Sequence, residues 1–280
     1  MVRKPAVAGY FYPGDAQEIK LLIQELQQSS LGPGGNLEKV PFFEKVNGVV
    51  GPHAGYIYSG AVACWSFAAL SRLDRETTFC IIGPNHRGYG ASVALSEEEE
   101  WLTPLGKVVL DLEAASFLKE NFPVFAFDEQ AHFAEHSVEV QIPFLQYFLS
   151  CPFKIIPIVL LDQRKRVAQQ IAEALYELSK EKNLVIVASS DFSHYEPAEI
   201  AEKKDQQAIS YILNLDVEGF YAFLQKASVS VCGPGAIAIL MLYQKLKDAP
   251  PPRLLQYAHS GEVSGDFSQV VGYASLIFPG

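Results

Sequence analysis

The chain carries six histidines and four cysteines in 280 residues, and three of these ten stand in the same kind of turn. His53 lies in Gly51-Pro52-His53-Ala54-Gly55-Tyr56, His86 in Gly83-Pro84-Asn85-His86, and Cys232 in Cys232-Gly233-Pro234-Gly235. Glycine allows sharp backbone turns and proline stiffens the approach, so such a frame aims one side chain into a pocket. Two imidazoles are the beginning of a transition-metal site. Cys232 precedes a helix expected at about 235–247. There the helix dipole and unpaired N–H groups lower a thiol's pKa and favour the metal-binding thiolate. The plainer readings are turn histidines bonded to backbone and a cysteine used as a small buried residue. The second is the expectation for Cys64, Cys80 and Cys151.

Asp191 and His194 follow an apolar run in Ser189-Ser190-Asp191-Phe192-Ser193-His194. An aspartate within reach of a histidine fixes its tautomer and raises its basicity, as in a general base or the support of a metal ligand. The alternative is that Asp191 caps a helix and His194 is exposed. His132 and His136 share a face only if the segment between them is helical, and His132 is expected at the surface. No phosphate-binding glycine loop and no G-x-S-x-G elbow is present.

The elements that must position these residues repeat one rhythm: a short β-branched run, a Gly/Pro/His turn, then a helical pattern. Residues 46–50, 78–82, 153–161, 184–188, 253–258 and 270–278 read as strands. Helices are expected at about 60–70, with Ser59 as N-cap, at about 163–180 and at about 235–247. Strands that are apolar throughout are buried on both faces. The fold class is therefore α/β, a mixed, mostly parallel central sheet flanked by helices on both faces, with residues 1–280 forming one domain. Ligands in such sheets bind beyond the carboxyl ends of the strands, where His53, His86, Asp191 and His194 all fall.

Bulk properties narrow the classes. Hydrophobic residues make up 49%, enough for a sizeable core, and the net charge of −10 argues against nucleic acid and anionic membrane surfaces as partners. The cysteines are widely spaced with no C-x-x-C pair, the pattern of reduced thiols in a cytoplasmic protein. No signal-peptide core and no run of about 18 apolar residues is present.

Several motifs occur in a fixed order. They are Ala-Gly-Tyr-Phe-Tyr-Pro at 8–13, Pro-His-Ala-Gly-Tyr-Ile-Tyr-Ser-Gly at 52–60, Gly-Pro-Asn-His at 83–86 and Thr-Pro-Leu-Gly at 103–106. Glu-His-Ser-Val-Glu at 135–139, Ser-Ser-Asp-Phe-Ser-His at 189–194 and Cys-Gly at 232–233 complete the set. Together they resemble the MEMO family, called AmmeMemoRadiSam system protein B in microbes, from about residue 3 to 278. The resemblance implies a fold similar to that of the class III extradiol dioxygenases (LigB-like), which hold non-haem Fe(II) with two histidines and a carboxylate. It implies His53, His86 and Cys232 as metal ligands, and places His136, Asp191 and His194 at the remaining polar, catalytic-type positions.

A thiolate in place of the carboxylate is softer, which points to Fe(II) or Cu(I), with Zn(II) as a third choice. Ring cleavage is not inherited with the fold. The expected function is a cytoplasmic metal-binding protein with a mononuclear His₂Cys site, a redox enzyme acting on a small molecule. An alternative is a non-catalytic adaptor whose pocket takes a phosphate, a carboxylate or a peptide. A zinc hydrolase is a third reading. The family name further implies AMMECR1-like and radical-SAM proteins as partners.

Overall fold

The computed structural model describes residues 2–37 and 39–280. The first half of the chain contains β1 (Val2–Arg3), α1 (Ala16–Gln28), β2 (Val46–Gly51), α2 (Tyr56–Leu70), β3 (Thr77–Pro84) and β4 (Val93–Leu95). It continues through β5 (Glu100–Thr103), β6 (Gly106–Val109), α3 (Leu112–Asn121), β7 (Ala126–Phe127) and α4 (Glu129–His132). A 3₁₀ turn (Glu139–Gln141) leads into α5 (Ile142–Phe148), β8 (Phe153–Leu160), α6 (Lys165–Leu178), β9 (Leu184–Ser189) and β10 (His194–Glu196). The chain closes with α7 (Ala198–Leu213), α8 (Val217–Lys226), α9 (Pro234–Leu246), β11 (Arg253–His259), α10 (Gly261–Ser264) and β12 (Val270–Pro279).

The β-branched runs assemble into a nine-stranded mixed sheet in the order β10-β12-β2-β9-β3-β8-β4-β7, with β11 also paired to β12. Its centre, β2-β9-β3-β8, is parallel. The flanks turn antiparallel where β12 joins β2 and β4 joins β8. A small sheet, β1-β5-β6, stands apart. Side chains along a strand alternate between faces. Accordingly Cys80, Ile82, Ile186 and Ala188 pack with α6, α9 and α3 in one core. Phe79, Ile81, Val185 and Val187 pack with α1, α2 and α5 in the other. The sheet is thus covered on both faces, which is why its strands read as unbroken apolar runs.

Two expectations need correction. Helix α2 begins at Tyr56 with Gly55 at its N-cap, four residues before the expected start. Ser59 lies inside the helix and donates to the Ala54 carbonyl at 3.0 Å. Its hydroxyl back-bonds within the turn instead of capping it. His132 is not at the surface: it is 0% exposed, against the edge of Trp101. Helix α4 ends at His132, so His136 does not share a helical face with it.

Candidate metal centre

Three neighbouring strands end side by side in the order β2, β9, β3. His53 stands two residues past β2, Asp191 two past β9 and His86 two past β3. The two Gly-Pro turns are thus separated in space by the end of β9, which supplies Ser189. The α8–α9 connection brings in Cys232, and the segment between α4 and the 3₁₀ turn brings in Glu135 and His136. Glycine is required at 233: a Cβ there would lie 2.5 Å from the Ser189 carbonyl oxygen and 2.8 Å from the Ser190 Cβ. Only a residue without a side chain lets the cysteine turn abut the end of β9.

The donors form two groups that share His53. One is His53, His86 and His136; the other is His53, Asp191 and Cys232; within each group the donor atoms lie within 4.8 Å of one another. His53 Nε2 is 3.1 Å from Cys232 Sγ, and its Nδ1 is 2.9 Å from Ser189 Oγ. The His53 and His86 rings meet edge-on at 5.1 Å, and His86 stacks on His136 at 4.5 Å. Phe11, from the N-terminal segment, covers His136 at 4.4 Å. His53 is buried, whereas the His86 side chain is 33% exposed, so the cluster opens to solvent on the His86 side.

Two further expectations change. Cys232 lies just ahead of α9, yet burial pushes its thiol up, and the Asp191 carboxylate adds to this. Desolvation outweighs the helix N-terminus. The sulfur still accepts the Asp191 N–H at 3.1 Å. Asp191 does not pair with His194: Oδ1 accepts the backbone N–H of His53 at 2.8 Å, and Oδ2 lies 3.9 Å from His53 Nε2. His194 instead turns Nδ1 to the carbonyls of Phe192 and Ser230, at 2.7 and 2.9 Å. Both acceptors are carbonyls, so Nδ1 carries the proton. The loop between Asp191 and His194 has made each a backbone organiser.

Burial dominates the electrostatics. It pushes His53 well below the usual imidazole range, with the charges of His136, His86 and His194 acting the same way. It lowers His136 to about 4, against the pull of Glu135. Burial raises Asp191 to about 6 despite the His53 N–H. For Glu135 burial pushes upward, but the hydrogen bond and charge of His86 and the Ser137 N–H win, and the carboxyl sits at about 2. His53 and His136 are therefore neutral, the form of imidazole that binds metal.

Three residues escaped the reading of the sequence: Glu135, Ser189 and Gln141. Glu135 contacts both His86 and His136, Ser189 contacts His53, and Gln141 donates to Ser189 Oγ at 2.7 Å. The available signal was position: Glu135 precedes His136, and Ser189 ends β9 two residues before Asp191.

Fold and site define an α/β protein with a histidine-rich candidate metal centre at the carboxyl edge of a mixed sheet. The sequence profile of the Memo-like protein family fits residues 3–277. A MEMO1 family protein of Nitrosopumilus maritimus (strain SCM1) is 44% identical over 278 residues, covering 99% of this chain and 100% of the relative. Another, from Ignicoccus hospitalis, is 46% identical over 284 residues, covering 100% of this chain and 99% of the relative. The chain belongs to the Memo-like protein family. Among the described residues no helix is long and apolar enough to cross a membrane.

Proposed function

We propose that this protein binds one transition-metal ion at the His53 cluster and uses it in redox chemistry on a small molecule admitted from the His86 side. The reading places the ion against His53, His86 and Cys232. The observation that carries it is the approach of His53 Nε2 to Cys232 Sγ at 3.1 Å, with the His86 ring 5.1 Å from that of His53. Such closeness of a buried imidazole nitrogen and a sulfur fits a shared ligand between them. Imidazole and thiolate suit Fe(II), Cu(I) and Zn(II), and the reading favours the first two. When bound, the ion would supply Lewis-acid and one-electron chemistry.

The protein's own contribution is orientation and exclusion of water. Asp191 holds the His53 backbone, while Phe11 and the stacked His86 fix the ring of His136. His136 and His194 are the polar groups left to meet a substrate. The test is anaerobic purification followed by metal analysis and competition titration with Zn(II). About one ion per chain is expected in the wild type, and less than a tenth of that in His53→Ala, His86→Ala and Cys232→Ala. Equal metal content in all four proteins rejects the reading.

A further inference from the structure

We propose that Glu135 is the positioning residue of this centre, setting the tautomer and direction of the His86 imidazole and pinning the backbone of its stacked neighbour His136; the inference rests on the metal-binding reading above. Its carboxylate is 1% exposed and meets five nitrogen atoms. Oε1 lies 2.9 Å from His86 Nδ1 and 3.2 Å from His136 Nδ1. The same oxygen accepts the backbone N–H groups of His136 and Ser137, both at 2.9 Å. Oε2 accepts the His86 backbone N–H at 2.6 Å.

An ionised carboxylate only accepts hydrogen bonds. His86 must therefore turn an Nδ1–H toward Glu135, which in the neutral ring leaves the Nε2 lone pair free and pointing away from the acid. That lone pair is the one a metal takes. His136, stacked on His86 at 26°, is held by Glu135 through its backbone N–H. A third tie keeps the acid in place: the Glu135 carbonyl accepts from Arg3 Nη2 at 3.1 Å. One buried side chain thus serves a ligand and its neighbour together, which neither histidine's own turn accomplishes.

Glu135→Gln keeps the shape but replaces one acceptor by an amide donor. Turned one way, the NH₂ opposes the His86 N–H; turned the other, it pushes the imidazole proton onto Nε2. Support of this kind is worth about 10- to 100-fold in metal affinity. The experiment has two arms. In metal-free protein, ¹⁵N imidazole shifts report the tautomers directly. His86 is expected as Nδ1–H in the wild type, with Nε2–H appearing in Glu135→Gln. In the second arm, Co(II) titration is expected to show affinity about 10- to 100-fold weaker in Glu135→Gln with an altered d–d spectrum. In a His86→Ala background the same substitution should add almost nothing, because its effect passes through His86. A wild-type Nε2–H tautomer at His86, or Co(II) affinity and spectrum unchanged by Glu135→Gln, overturns the role of Glu135. Failure of the wild type to bind Co(II) at all overturns the metal reading beneath it.

Discussion

The hydroxyl of Ser189 sits between three polar groups: it donates to the Ser137 carbonyl at 2.6 Å, accepts from Gln141 Nε2 at 2.7 Å and lies 2.9 Å from His53 Nδ1. A hydroxyl has one proton, and the carbonyl takes it, so His53 must donate from Nδ1 and present Nε2 toward Cys232. Ser189→Ala leaves Gln141 and the imidazole N–H short of an acceptor in a buried site. The expected cost is about 1–3 kcal/mol of stability, read by urea denaturation of the metal-free protein. Zn(II) affinity should fall about 10-fold or more. A drop in stability with Zn(II) affinity intact would reduce Ser189 to a packing residue. His53, His86 and Cys232 were legible in the sequence because glycine and proline mark the turns that carry them. Ser189, Glu135 and Gln141 were not, since the contacts Ser189–His53, Glu135–His86 and Gln141–Ser189 span 48 to 136 positions. A serine ending a strand or a glutamate before a histidine shows no local pattern that says which ring it will meet.

Between residue and whole chain, the elements are tied by another acid, Glu139. It opens the 3₁₀ turn, is fully buried, and accepts from Arg3 Nη1 at 2.7 Å, Ala6 N at 2.8 Å, Val7 N at 3.0 Å and Tyr12 Oη at 2.6 Å. These bonds fasten residues 3–12 onto the turn that ends at Gln141, and they hold Phe11 over His136. Arg3 stacks on Trp101, its partner across β1 and β5, at 4.1 Å, so the ion pair also ties the small sheet to the 3₁₀ turn. Breaking one half of a buried ion pair leaves the other charge unpaired and costs about 3–5 kcal/mol. Glu139→Gln is expected near the lower end of that range, with faster proteolysis in the first dozen residues. The double variant Arg3→Met/Glu139→Gln should lose less than the two single losses combined, which denaturation of all four proteins would show; simple additivity sinks the coupling. At this scale β2, β3, β8, β9, β11 and β12 and the helices α2, α6 and α9 were readable from apolar runs and period, whereas α1 and α7 were not among the expected helices. The start of α2 was not readable either: its first turn, Tyr56-Ile57-Tyr58-Ser59, has the aromatic and β-branched look of a strand edge, and the Phe11 carbonyl that accepts the Tyr56 N–H is distant in sequence.

For the molecule as a whole, acid is the informative perturbation, because the folded chain buries groups whose ordinary charge it suppresses. His132 is fully buried and neither ring nitrogen has a hydrogen-bond partner. Burial lowers it to about 3, Arg3 adds to this, and the backbone of Ala94 and Leu95 offsets it in part without closing a hydrogen bond. The unfolded chain protonates this ring below about 6.5 while the native state does not. Stability from His132 is therefore fully present above about pH 6.5 and is lost as pH falls toward 3, at about 1.4 kcal/mol per pH unit. Asp205 runs in the opposite sense. Burial raises it to about 6 even though it accepts from Ser193 and Tyr257. Its native state holds a proton that the unfolded chain releases above about 4, so its contribution is largest in acid and is lost as pH rises through 6. Between pH 4 and 6 the two slopes oppose each other, and single substitutions separate them. His132→Leu should flatten the acid limb of the denaturation free energy by close to one proton, and Asp205→Asn should steepen it by a similar amount. Identical pH profiles for His132→Leu and the wild type, measured as urea denaturation of metal-free protein from pH 4 to 7, would mean that His132 reaches water or a partner in the folded state, and the burial argument for it would fail.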